Sequence, residues 1–240
     1  MRKPRFVRFL DLKQSDLNCD FHVHTDRTDG SCSIEEVLEE AVKRGLDRIA
    51  FTEHVRQDTG WFPEFESEIQ TARRKFSTIN VFIGCETKTI NERGSLDLSD
   101  DVRSRCDIVL GSVHRFPDGA GGFIDFKTLS QKKMAEIEVN LSIGLLEYAT
   151  IDVLAHPGSM YYRQFSFDLP QHLMTKILEI SLKRKIAVEI NSSYIRDFRS
   201  FLKLCSQINP YVSIGSDMHE LKQLGACRDR LIANGLGGNT

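Results

Sequence analysis

Nowhere in the 240 residues does an apolar run approach the roughly 18 residues that a membrane-crossing helix needs. The start of the chain is too short and too interrupted in its apolar character for a signal peptide. Charge of one sign is also lacking. The formal net charge is -2, and acidic and basic residues are mixed along the chain. The one basic cluster near a terminus, Arg2, Lys3, Arg5 and Arg8, is interleaved with Phe6, Val7, Phe9 and Leu10. A broad nucleic-acid surface would show a basic excess, so the balance argues against nucleic acid as the main partner. The six cysteines form no C-x-x-C pair and no disulfide framework, and they read as reduced thiols of a cytoplasmic protein. There is no G-x-S-x-G nucleophile elbow, no P-loop, and no G-x-G-x-x-G after a strand. Repeats, low-complexity segments and interdomain linkers are missing too, so residues 1–240 read as one domain.

What is present is an alternation. Seven short, nearly continuous apolar runs read as buried parallel strands: 19–23, 48–52, 81–85, 108–113, 151–155, 186–190 and 212–215. Helical patterns lie between them. Ser33 and Glu36 form a capping box ahead of an apolar face made by Ile34, Val37, Leu38, Ala41 and Val42, with Gly45 as the stop. Pro63 and Pro170 open further helices. Others span about 129–148, 198–204 and 221–233. Segments 87–101 and 115–125 read as loops, and the tail from Gly237 to Thr240 as frayed. Alternating strands and helices imply an α/β fold, either a barrel or an open doubly wound sheet.

Six of the seven histidines end or follow a strand: His22, His24, His54, His114, His156 and His219. Only His172 lies elsewhere, in the first turn of a helix. Asp29, Glu86 and Asp217 accompany the six, and parallel strands bring their C-terminal ends to one face. A single histidine at a strand end is usually a hydrogen-bonded core or loop residue. Six on one face with carboxylates beside them would have to share a small volume, and buried charge needs pairing or a metal. The mixture of imidazole and carboxylate suits zinc, manganese or iron better than magnesium or calcium. One catalytic zinc takes about three protein ligands. Nine candidates therefore point to two or three divalent ions.

The same residues resemble the motifs of the PHP family, named for polymerase and histidinol phosphatase. The blocks are Asp20-Phe21-His22-Val23-His24-Thr25 with Asp29-Gly30, Thr52-Glu53-His54, Gly84-Cys85-Glu86, Asp107 to His114, Leu154-Ala155-His156-Pro157 and Gly215-Ser216-Asp217-Met218-His219. The resemblance implies a distorted barrel of seven βα units with a trinuclear centre. His22, His24, Glu86 and Asp217 would hold one metal. Glu86 would bridge to a second, held also by His114 and His156, and Asp29, His54 and His219 would hold the third. Two positions stand out against the family: Glu53 where many members have Asp, and Asp29 where others have His. Glu53 is expected behind the ligands, orienting a histidine.

The implied activity is hydrolysis of a small phosphate monoester, with histidinol phosphate as the leading substrate and histidine biosynthesis as its setting. Asp217 and His156 are candidates for proton transfer. Arg163 and Arg196 are candidates for holding phosphate, and Arg115 is a third. Trp61, Phe62, Phe65, Tyr161, Tyr162 and Phe165 could wall a pocket or simply pack loops. The competing readings are a phosphodiesterase or nuclease using the same metals, and a metal-binding domain without turnover. Composition and spacing leave the oligomeric state open.

Overall fold

The computed structural model describes residues 3–237, so Arg2 and the tail beyond Gly237 lie outside the described residues. The strands are β1 (Val7–Arg8), β2 (Cys19–Val23), β3 (Arg48–His54), β4 (Asn80–Lys88), β5 (Ile108–Ser112), β6 (Phe116–Pro117), β7 (Phe123–Ile124), β8 (Val153–Leu154), β9 (Ala187–Asn191) and β10 (Tyr211–Gly215). The helices are α1 (Gln14–Leu17), α2 (Ile34–Lys43), α3 (Phe62–Lys75), α4 (Asp100–Arg105), α5 (Gln131–Tyr148), α6 (Ser159–Phe165), α7 (Gln171–Arg184), α8 (Phe198–Ile208) and α9 (Ala226–Ala233).

The seven expected strands line up in chain order as β2-β3-β4-β5-β8-β9-β10, all parallel. The ring closes between β2 and the segment after β10. His24 N donates to Met218 O at 2.9 Å, and Met218 N donates to His22 O at 3.1 Å. At the other end β1 pairs antiparallel with β10, Val7 opposite Val212, and this mixed pairing distorts the barrel. Both faces of the strands are covered, which is why they read as continuous apolar runs rather than alternating ones.

Local signals placed α2, α3, α5 and α7 within about two residues, whereas α1, α4 and α6 have no counterpart among the expected helices and α8 runs on to Ile208, past the expected end at 204. Ser33 Oγ accepts from Glu36 N at 3.3 Å, and Glu36 Oε2 accepts from Ser33 N at 2.8 Å, so the capping box at α2 forms as expected. Val42 departs from the expected apolar face and is 51% exposed, whereas Ile34, Val37, Leu38 and Ala41 form the buried face. The expected helix over 221–233 is broken instead. Gly225 sits at φ +70°, where its N–H reaches the buried Asp20 Oδ2 at 2.8 Å. The two expected loops carry structure of their own. Strand β4 runs on to Lys88, α4 follows Ser99, and β6–β7 form a small antiparallel hairpin.

The fifth parallel strand is shorter than its apolar run. Only Val153 and Leu154 have strand geometry, although Asp152 N and Ala155 N still donate to Val109 O and Gly111 O, each at 2.9 Å. His156, at φ +27°, turns the chain out of the sheet directly afterwards. No helix of the described residues is long and apolar enough to cross a membrane.

Candidate metal centre

The C-terminal ends of the parallel strands converge as expected, and six imidazoles meet there. Ring centroids are 5.0 Å apart for His22–His24, 5.4 Å for His22–His156 and 5.3 Å for His114–His156. His24 lies 4.4 Å from His54 and 4.6 Å from His219. His172 is exposed on α7 and is absent from this group.

Glu86, at the end of the central strand β4, sits among the rings. Its Oε1 is 2.9 Å from both His114 Nε2 and His156 Nε2, and its Oε2 is 3.0 Å from His54 Nδ1. Asp217 Oδ1 is 3.4 Å from His22 Nε2 and 3.2 Å from His24 Nε2. Asp29 Oδ2 is 3.3 Å from His54 Nε2 and from His219 Nε2. The nine candidates thus share one site.

Burial opposes charge on Glu86 and Asp217, yet the imidazoles around them outweigh it and hold both carboxyls well below the ordinary range. His22 is buried too, but Glu189, Asp217 and Glu86 push its pKa well above that of free imidazole. His24 goes the other way. Burial dominates there and lowers it to about 4.

These residues fit a metal. His22 Nε2, both ring nitrogens of His24, and Glu86 Oε2 are buried without any hydrogen-bond partner. Buried polar atoms in native proteins are almost always satisfied, and unsatisfied atoms on three neighbouring ligand-type side chains, with the two His24 nitrogens facing different carboxylates, call for cations. Ligand atoms within 4.8 Å of one another form the groups His24–Asp29–His54–His219, His22–His24–Glu86 and His54–Glu86–His114. The set has the capacity for two to three divalent ions. His54, rather than His156, joins Glu86 and His114 in the third of these groups.

The structure adds residues that sequence reasoning passed over. Glu189, on β9, accepts from His22 Nδ1 at 2.8 Å and from His156 N at 2.7 Å. With Nδ1 so engaged, His22 presents Nε2 to the centre. Ser159 Oγ lies 3.0 Å from His156 Nδ1 and aims its Nε2 in the same way. Tyr194 donates its hydroxyl to Asp217 Oδ2 at 2.9 Å. The signal for Glu189 was a carboxylate inside an apolar strand run. Glu53 plays a different part from the one expected. It accepts from Thr25 N at 2.7 Å, Thr25 Oγ1 at 2.6 Å and the hydroxyl of Thr28, and makes no hydrogen bond to a histidine. It therefore fixes the loop that carries Asp29. Gly30 is required in that loop, since a Cβ there would lie 2.6 Å from His24 O.

A cavity of about 290 Å3 opens above the centre, lined by Asp29, His54, Glu86, His114, His156, Asp217 and His219 together with Arg56, Lys88, Arg115, Arg163, Ser159 and Tyr194. Arg163, from α6, lies over the Tyr194 ring at 5.4 Å. Arg196 is not among the lining residues. Asp168 Oδ1 accepts from its backbone N–H at 2.7 Å, and its guanidinium donates to Ser166 O at 3.0 Å and lies over Phe167. The structure therefore brings Arg163 to the cavity and not Arg196. The aromatic residues singled out in the sequence do not line it either. Phe62 and Phe65 are fully buried in the core with Trp61 against them, and Tyr161 packs on Phe165. Tyr194 is the aromatic residue at the cavity.

Helix α6 is held by a buried carboxylate. It begins at Gly158, which offers no side-chain cap, and Glu138 of α5 accepts from Met160 N at 3.0 Å and Tyr161 N at 2.8 Å instead. Burial raises the Glu138 pKa from its ordinary 4.5 to about 7 despite those donors. Between these values the folded chain holds the proton more tightly than the unfolded chain, so stability falls as pH rises through that window. Measured against Glu138→Gln, the unmodified protein should lose about 3 kcal/mol between roughly pH 4.5 and pH 8. Urea unfolding of both proteins across that range checks this, and a difference independent of pH would remove Glu138 from the account.

Residues 20–193 match the family model described as PHP domain. A protein of Caldicellulosiruptor bescii described as a probable phosphatase is 28% identical over 220 residues, covering 88% of this chain and 83% of that protein. The DNA polymerase/3'-5' exonuclease PolX of Bacillus subtilis is 26% identical over 228 residues, 91% of this chain but 36% of that protein. Histidinol phosphate phosphatase of Lactococcus lactis, solved with zinc, L-histidinol and phosphate, has the same fold. Its TM-score is 0.69 at 19% identity, over 92% of this chain and 94% of that one.

Proposed function

Because the chain belongs to the PHP domain family, we propose that it is a metal-dependent phosphomonoesterase acting on a small phosphate ester in the cavity above the histidine cluster. One observation carries this reading. Glu86 is buried within about 3 Å of imidazoles from three different strand ends, beside unsatisfied buried nitrogens of His22 and His24, at the floor of an open cavity. A structural zinc site is normally closed by four ligands, whereas a site open to a cavity suits turnover.

His22, His24, Glu86 and Asp217 would hold one ion, Glu86 with His114 and His156 a second, and Asp29, His54 and His219 a third. Zinc, manganese and iron all suit this mixture of nitrogen and oxygen donors. Bound divalent ions supply Lewis-acid charge and make water a competent nucleophile near neutral pH. The chain's own residues do the rest. Arg163 is free of any carboxylate within ion-pair distance among the described residues, and its planar fork suits the non-bridging phosphoryl oxygens. Tyr194 holds Asp217 through Oδ2, leaving Oδ1 toward His22 and His24. Ser159 fixes the His156 ring. As ligands, Asp217 and His156 would have no proton of their own to give to the departing oxygen, so both are assigned to holding the ions.

Histidinol phosphate, the substrate of the Lactococcus fold relative, is the first ester to assay. All six cysteines are free and buried, which supports a reducing, cytoplasmic setting. Residues 1–240 are taken as one catalytic domain. A diesterase or nuclease reading draws on PolX, of which the chain spans about a third. The near-neutral charge favours the small substrate.

Chelation should abolish hydrolysis of phosphomonoesters, and zinc, manganese or iron should restore it. His22→Ala should lower metal content by at least one ion per chain and turnover by more than about a hundredfold, beyond the 10–100-fold typical of groups behind the ligands, with the fold retained by circular dichroism. Full metal occupancy in that variant with unchanged turnover would sink the reading. Single-stranded DNA hydrolysed faster than any small ester would favour the diesterase.

A further inference from the structure

The cavity carries more positive charge than a single phosphoryl group needs. Its lining includes four basic side chains and three carboxylates, and the carboxylates, Asp29, Glu86 and Asp217, are all committed to the histidine cluster. Of the four bases, Lys88 is neutralised by Asp97 at 2.6 Å. Arg56, Arg115 and Arg163 have no carboxylate within ion-pair distance among the described residues. Arg163 faces Tyr194, and Arg115 lies 5.1 Å from the centroid of the Phe123 ring in the β6–β7 hairpin.

The placement of the three separates their tasks. Arg163 comes from α6, on the same side as His156 and Tyr194. Arg115 directly follows His114 and Arg56 stands two residues after His54, and those two histidine rings are 5.3 Å apart. Both arginines are exposed at the mouth, beyond the histidines they follow. A guanidinium pays little to remain hydrated in the absence of a ligand, and it recognises carboxylate or phosphate oxygens through two parallel donors. With Arg163 on the scissile group, two unpaired forks remain where the alcohol portion of the ester would lie. No carboxylate of the lining is free there to receive an ammonium.

We propose that the substrate carries a second anionic group, a phosphate or a carboxylate, on its alcohol portion, and that Arg56 and Arg115 recognise it. This rests on the phosphomonoesterase reading and names a substrate class within it. It also sets the preferred substrate apart from an amino alcohol phosphate, whose ammonium would face two guanidiniums.

Binding separates this from catalysis. The metal-loaded protein is titrated calorimetrically with phenylphosphonate, 4-carboxyphenylphosphonate, 1,4-phenylenebisphosphonate and 4-(aminomethyl)phenylphosphonate, none of which can be hydrolysed. At least one of the two probes with a second anionic group should bind ten or more times tighter than phenylphosphonate, and the aminomethyl probe should bind more weakly. In Arg56→Gln/Arg115→Gln the advantage of the second anion should fall below threefold. The carboxylate and bisphosphonate arms distinguish which second group is read. Equal affinity for all four probes, or an advantage that survives in the double variant, overturns the proposal. Selective binding of a probe with a second anionic group, without hydrolysis of any matching ester, would leave the proposed recognition standing and defeat the hydrolase reading. Turnover of phenyl phosphate with no preference among the probes would do the reverse.

Discussion

Replacing Gly215 with alanine is expected to disable the metal centre without altering a single candidate ligand. Gly215 ends β10 beside β2 and β9, and a Cβ there would lie 2.1 Å from Glu189 Oε1 and 2.7 Å from His22 Cβ. Both neighbours are buried and fixed. Glu189 is bound to His22 Nδ1 and to the backbone N–H of His156, so it cannot withdraw without releasing one or both. Alanine therefore removes the group that sets which nitrogen of His22 faces the site. Losing a group that orients a ligand typically lowers metal affinity or activity 10–100-fold, and displacement of His22 itself adds to that. Turnover should fall by about a hundredfold or more. Overpacking should also lower stability by about 1–3 kcal/mol. Emission spectroscopy of metal content, steady-state kinetics and a urea melt report the three effects separately. Glu189→Gln, which keeps the volume and removes the charge, should reproduce the catalytic loss with little of the instability. A Gly215→Ala protein with full metal content and normal turnover would show that Glu189 does not orient His22.

Glu86→Gln should have an effect at least as large, through charge rather than space. The side chain is fully buried, and imidazoles from His54, His114 and His156 lie within about 3 Å of its two oxygens. An amide is nearly isosteric, so the barrel should remain intact. It carries no charge, however, and can present only one acceptor oxygen. In the proposed centre it would lose the ability to bridge two cations. Burial opposes charge on His54 and His156, yet Glu86, joined by Asp29 at His54, pushes both above the ordinary imidazole range, and without it they would share a buried volume with less negative charge to offset them. Metal content should fall by at least one ion per chain, and turnover by more than about a hundredfold, exceeding the effect of a group behind the ligands. Metal analysis decides the matter: unchanged stoichiometry in Glu86→Gln would exclude Glu86 as a bridging ligand.

Much of this architecture was legible in the sequence because it is written locally. A buried parallel strand must be apolar on both faces, so β2 to β5 and β9 to β10 show as short continuous runs. A candidate ligand at a strand end stands in or close behind its apolar run, and for that reason the six histidines, Glu86 and Asp217 could be named from spacing, with Asp29 in the loop after the first strand. Partners reached across the barrel leave no such trace. Glu189 and Glu138 appear in the sequence only as carboxylates set among apolar residues, and Ser159 and Tyr194 as ordinary loop and helix residues. The choice among arginines was equally hidden, since it depends on where Asp168 anchors the backbone of Arg196.

The sequence by itself determined the alternation of strands and helices and the chemistry gathered at the strand ends, including the family to which the chain is similar. Apolar period and residue type are properties of short segments, and they survive without a fold. Tertiary structure alone decided that the barrel closes between His22 and Met218, which nitrogen of His22 and of His156 faces inward, and which arginines surround the cavity. Those outcomes depend on contacts between residues as many as about 200 positions apart, and they exist only once packing has fixed the distance and direction between them.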